Sequence, residues 1–126
     1  SHSSCRALCN HPRNPTDDQL HALAEKGGVA QIACYNGCLV GGDAVAGSHD
    51  AVRHMLHAVS VGGSDHVGIG TDFDGDGGVR GLDSASSLIK LTEALQAEGI
   101  DHEDLEKIWG GNFLRVMRQA QAAAEE

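Results

Sequence analysis

The sequence predicts an α/β fold built on parallel strands, and three observations carry that reading. Segments of helical and strand character alternate along the chain. The strand-like runs are short and mostly apolar, as strands covered on both faces are. The loops richest in Gly and Asp follow the strands, which is where open and closed α/β folds place their chemistry.

Residues 1–15 read as a loop broken by Pro12 and Pro15. Thr16-Asp17-Asp18-Gln19 is a capping-box sequence, and its two acids suit the positive end of a helix dipole. The helix it opens runs from about Asp17 to Lys26, with Leu20, Leu23 and Ala24 inward, and Gly27-Gly28 stop it. Val29 to Tyr35 reads as the first strand, broken by Asn36-Gly37 and followed by a Gly-rich loop through Gly47. Ser48 is a candidate cap for a second helix that carries Val52, Met55, Leu56 and Val59 on one face and ends at Gly62-Gly63. His66 to Thr71 reads as the second strand. Its glycines suggest close approach of another backbone or a ligand. Asp72 to Leu82 is an Asp- and Gly-rich loop at that strand's C-terminal end. A third helix begins near Ser84 with Leu88, Leu91 and Leu95. Asp101 caps a short helix with Leu105 and Ile108, Gly110-Gly111 interrupt it, and Asn112 can recap a last helix running from Phe113 into the Ala-rich tail. Trp109 is placed to pack these last helices onto the body. The alternation of strand and helix gives parallel βα units.

Composition excludes several classes. The chain has 126 residues and 40% apolar content, enough for one modest domain with a core, and a net charge of −9. That charge opposes nucleic acid and anionic membrane as partners, and no run is long or apolar enough to span a bilayer. Aromatics are only 3%, so Leu, Val, Ile and Ala supply most of the burial. Four cysteines fall as Cys5-x3-Cys9 and Cys34-x3-Cys38. Zinc knuckles use tighter C-x2-C spacing, so the expectation is reduced, buried thiols in a reducing compartment, the cytoplasm.

Four residues stand out for chemistry. His2, flanked by serines at a strand end, can ligate a metal through a ring nitrogen. Asp72, nearest the strand in the cluster Asp72-Phe73-Asp74-Gly75-Asp76-Gly77, can act as a base or orient a water. Arg13 can clamp a carboxylate through two hydrogen bonds. Tyr35, at the end of the first strand, can point into a cleft. His54 and His57 share a helix face and suit packing better than metal binding. His11, His21, His49 and His102 receive no role. A rival reading comes from the same acidic stretch. Asp72, Asp74, Asp76, Gly77 and Asp83 fall at positions of a calcium-loop template, which would make the chain a small calcium-binding module. That template requires a preceding helix, and the residues before Asp72 look like strand.

Ser1-His2-Ser3-Ser4, Asn10-His11-Pro12-Arg13-Asn14, His66 through Gly75, and Trp109-Gly110-Gly111-Asn112-Phe113-Leu114-Arg115-Val116 occur together in this order. In this the chain resembles the membrane (renal) dipeptidase family, peptidase family M19, and is similar to its bacterial members. The resemblance implies a TIM-type (β/α)8 barrel with a zinc pair that hydrolyses dipeptides. It implies that His2 is a ligand of one zinc, that Arg13 binds the substrate's terminal carboxylate, that Tyr35 lines the cleft and that Asp72 handles the protons of the attacking water and leaving amine. Cys38 stands where some relatives carry a second cleft aromatic. The family's other zinc ligands have no counterpart here. A closed barrel needs eight strands and about 250 residues. The expectation is therefore the C-terminal portion of such a barrel, with about two parallel strands and four to five helices, inactive alone. Its expected partners are a dipeptide substrate and either the N-terminal half or, through open strand edges, a second copy in a homodimer.

Overall fold

Alternating apolar segments set the architecture that is observed. A computed structural model describes residues 1–125. The elements are α1 (Asp17–Glu25), β1 (Ala30–Ile32), α2 (Asn36–Leu39), α3 (Ser48–Gly62), β2 (Val67–Ile69), α4 (Ile89–Ala97), α5 (His102–Glu106) and α6 (Asn112–Ala124). The two strands pair in parallel, Ala30 opposite Val67 and Ile32 opposite Ile69. The predicted longer strands survive as backbone hydrogen bonds beyond this pairing. Gly70 N–H donates to the Ile32 carbonyl at 2.9 Å, and Cys34 N–H to the Thr71 carbonyl at 3.3 Å.

The loop expected over residues 1–15 holds a third parallel contact. Ser3 pairs with Ile32 on the other edge of β1, through Ser3 N–H to the Gln31 carbonyl at 3.3 Å and Ala33 N–H to the Ser3 carbonyl at 2.9 Å. A Cβ on Gly70 would strike the Ser1 carbonyl oxygen, so this glycine permits the close backbone approach its strand position suggested.

The helices form for the local reasons the sequence gives, with two corrections. Thr16 caps α1 through its hydroxyl, which accepts from Gln19 N–H at 3.2 Å, while the Gln19 side chain accepts from Thr16 N–H at 2.9 Å. Ser48 does not cap α3. It lies inside the helix, and the Asp50 carboxylate accepts from the Gly47 N–H at 2.9 Å instead. Nor does Asn112 recap a broken helix. Residues Lys107–Gly111 form a π-helical segment that joins α5 to α6 without a break. Gly111 suits this segment because a Cβ there would stand 3.3 Å from the Glu106 carbonyl oxygen.

The core lies between the strands and their helices, with Met55, Val67, Leu82, Leu91, Leu95 and Ile108 almost wholly enclosed. Buried polar groups fasten it. His54 accepts from Cys5 N–H at its Nδ1 (2.9 Å), so the proton sits on Nε2, which donates to the Leu39 carbonyl at 2.9 Å. Burial holds its pKa below the ordinary 6.5. His57 pairs with Asp17 at 2.7 Å. Both helix-face histidines are thus packing residues, as their spacing favoured. Trp109 keeps 41% of its surface exposed and packs less than expected, although its Nε1 donates to the Thr92 hydroxyl on α4 at 2.6 Å.

Candidate active site

The site is built where β1 and β2 end. Tyr35 and Asp72 are each the third residue beyond a strand end, and those ends, Ile32 and Ile69, are paired. The two side chains thus occupy equivalent places on neighbouring parallel strands, at the rim where such folds carry out chemistry. Tyr35 leads directly into α2, a short helix that the Asn-Gly sequence had suggested was only a turn. Cys38 N–H and Leu39 N–H both return to the Tyr35 carbonyl, at 3.1 and 3.2 Å.

Asp72 has φ of 62°, the one positive-φ residue other than glycine among the described residues. A non-glycine residue rarely holds this left-handed conformation, and when it does the surroundings must enforce it. Here its carbonyl accepts from both Gly75 N–H at 3.0 Å and Gly77 N–H at 2.8 Å. A Cβ at Gly77 would collide with the carbonyl oxygens of Thr71 and Asp72. The glycines of this loop therefore let it fold tightly under the aspartate.

The calcium-module reading fails on this geometry. The element before Asp72 is β2, where the template needs a helix, and Asp74, Asp76 and Asp83 are exposed. Among the described residues no three carboxylate, His or Cys side chains converge to hold a metal ion. The same finding removes a four-cysteine zinc site. All four thiols are buried and unpaired, Cys5 pushed up to about 12 and Cys34 to about 11, chiefly by burial.

His2 and Arg13, predicted for different tasks, are bonded to each other. Arg13 Nη2 donates to His2 Nε2 at 2.8 Å and also lies 3.3 Å from the His2 carbonyl oxygen. A guanidinium only donates, so Nε2 is bare and the imidazole proton is on Nδ1, which bonds the Ser1 hydroxyl at 2.7 Å. The lone pair a metal would take is engaged by Arg13. The described residues therefore do not fit the zinc pair that the resemblance implies. Among the described residues His2 belongs to no group of three such donors.

Three further residues, Asn14, His11 and Cys38, complete the rim. Asn14 is fully buried, and its amide ties the loop to α2. Its Oδ1 accepts from Ser4 N–H at 2.8 Å, and its Nδ2 donates to the carbonyls of Cys9 (3.0 Å) and Cys38 (2.8 Å). His11 stands edge-on to Tyr35. Cys38 lies beneath, its thiol pKa raised first by burial, lowered by the charge of Arg13, and raised again by Cys9 and Asp72. The sequence signal for Asn14 was its membership of the segment Asn10-His11-Pro12-Arg13-Asn14. For His11 it was its place beside Arg13.

The sequence matches the membrane dipeptidase family, peptidase family M19, over residues 1–126. It is 42% identical to the dipeptidase ataJ of Aspergillus terreus across 98% of this chain and 31% of that protein. Its fold superposes on the probable dipeptidase PvdM from Pseudomonas aeruginosa with a TM-score of 0.84 at 25% identity, covering 90% of this chain and 42% of that one. It also superposes on a metallo peptidase from Rhodobacter sphaeroides, liganded with a phosphinate mimic of the dipeptide L-Ala-D-Ala. The TM-score there is 0.81 at 31% identity, covering 89% of this chain and 33% of that one. The chain spans less than half the length of each of these relatives.

Proposed function

The chain belongs to the membrane dipeptidase family, peptidase family M19, and from that premise we propose that it supplies the substrate-binding and proton-handling side of a dipeptide-hydrolysing site in a (β/α)8 barrel. The observations that support this reading are the His2–Arg13 bond and the equivalent places of Tyr35 and Asp72 beyond two paired parallel strands, in a chain that matches the family throughout.

Arg13 binds the carboxylate of the dipeptide with its guanidinium, once it leaves His2. Tyr35 walls the cleft. Asp72, at the strand end, takes a proton from the attacking water and returns one to the leaving amine, a task suited to a carboxylate fixed by its backbone. The family's zinc pair would supply Lewis-acid chemistry. Among the described residues His2 could offer such a metal a ring nitrogen only after Arg13 releases its Nε2. Four free thiols support a reducing compartment, and we place the protein in the cytoplasm.

A chimera tests the proposal. The corresponding segment of the Aspergillus terreus dipeptidase is replaced by this chain, and zinc-dependent hydrolysis of glycyl-dehydrophenylalanine is followed. The chimera should turn over, and Asp72→Asn should lower its kcat by about 10²–10⁴. The isolated chain should show no turnover. A folded chimera without activity, or turnover by the isolated chain, would overturn the proposal.

A further inference from the structure

His11 has no part in the reading above, yet it stands in the middle of the rim. Its Nδ1 accepts from the Arg13 backbone N–H at 3.2 Å, with Cys38 Sγ 3.8 Å from the same nitrogen. Its ring meets Tyr35 edge to face, centroids 6.3 Å apart and planes at 85°. Its backbone is fixed on both sides, N–H to the Cys9 carbonyl at 2.8 Å and carbonyl to Asn14 N–H at 3.0 Å. Because Nδ1 is an acceptor, the neutral ring carries its proton on Nε2. No group among the described residues accepts from Nε2, and the ring is only half-buried. The result is a donor with its tautomer set by one contact, its plane by another, and no internal partner. Such a pre-oriented group loses little freedom when a ligand arrives.

We infer that His11 is a further substrate-contacting residue, its Nε2–H donating to one carboxylate oxygen of a dipeptide while Arg13 binds the other. The inference rests on the assignment of Arg13 as the carboxylate site. A carboxylate has acceptor sites enough for both, and a neutral N–H adds direction beside a guanidinium without a second positive charge. The backbone bond from Arg13 to His11 couples the two donors, so they move as one unit.

The test is binding to the full 15N-labelled chain, followed by NMR, with glycylglycine and glycylglycinamide as probes. Glycylglycine should shift the His11 Nε2 and Arg13 guanidinium signals, and glycylglycinamide, which lacks the carboxylate, should shift neither. His11→Asn keeps an acceptor for the Arg13 N–H but does not reach the Nε2 position. It should weaken glycylglycine at least tenfold. His11→Gln, whose amide N–H does reach, should recover part of that loss. Should His11→Asn bind like the unaltered chain while Arg13→Gln abolishes binding, the role of His11 is overturned and the carboxylate site stands. Binding that survives Arg13→Gln, or no binding by the unaltered chain, counts against the carboxylate site itself and removes this inference with it.

Discussion

At the N-terminal ends of the strands, polar side chains spend their donors on backbone. Asn112, almost fully enclosed, donates to the Ser64 carbonyl at 2.7 Å and the Val67 carbonyl at 2.8 Å. Arg115 donates to the carbonyls of Gly27 (2.7 Å) and Asp65 (2.8 Å). His66 reaches the Gly28 carbonyl at 2.8 Å. Together they fasten the last helix and the preceding turn to the approaches of both strands. At the C-terminal ends Asn14 is buried, but His2, Tyr35 and Asp72 are half-buried, Arg13 is exposed, and His2 and Arg13 bond each other. Asp72 holds an uncommon backbone conformation. One end satisfies polar groups in a fixed frame, and the other leaves them exchangeable. We assign stability to the first and the proposed chemistry to the second, the division expected of parallel α/β folds.

The largest expected break in that contrast is Asn112→Ala. It removes the donor to one buried and one part-buried carbonyl, and we expect a loss of about 3 kcal/mol in urea denaturation. A loss below about 1 kcal/mol would mean that the seam does not carry the frame.

The next effect follows pH. His54 is neutral in the fold with its pKa depressed by burial, so the unfolded chain binds the extra proton first. Its contribution is complete above 6.5 and is lost as pH falls through and below that value. The slope reaches about 1.4 kcal/mol per pH unit while His54 stays neutral in the fold. His54→Gln should flatten the stability profile below pH 6.5 relative to the unaltered chain. Identical slopes would remove this account.

The smallest effect is the sharpest on function. Asp72→Gly relaxes a left-handed residue, so stability should stay the same or rise by about 0.5 kcal/mol. In the chimera the same change should abolish most of the turnover. A substitution that costs activity and not stability is what the rim predicts and the base forbids. Substantial destabilisation by Asp72→Gly would blur the two.

Much of this contrast was legible in the sequence. Periodicity located α1, α3 and α5, with true caps at α1 and α5, and the two apolar runs located the strands, because burial and capping are local patterns. Asp72 was visible because it follows a strand directly. Other features were hidden for physical reasons. The four residues of α2 begin with Asn-Gly, a turn signal, yet they are helical, with Cys38 and Leu39 N–H returning to the Tyr35 carbonyl. Asn112 looked like a cap because Gly110-Gly111 looked like a break. The glycines instead admit a π-helical segment, and the asparagine turns its amide to β2. The bond between His2 and Arg13 spans 11 residues, and only a folded loop brings its ends together. His11 and Asn14 gained their places from that same loop.

The central claim is that these residues hold substrate and move protons but form no metal cage by themselves. Metal content tests it most directly. The pure 126-residue chain is equilibrated with zinc, desalted and analysed for zinc per chain. The account predicts retention far below stoichiometric, because a stable zinc site needs about three or four converging ligands. Retention of about two zinc ions per chain, lost on His2→Ala, would contradict it.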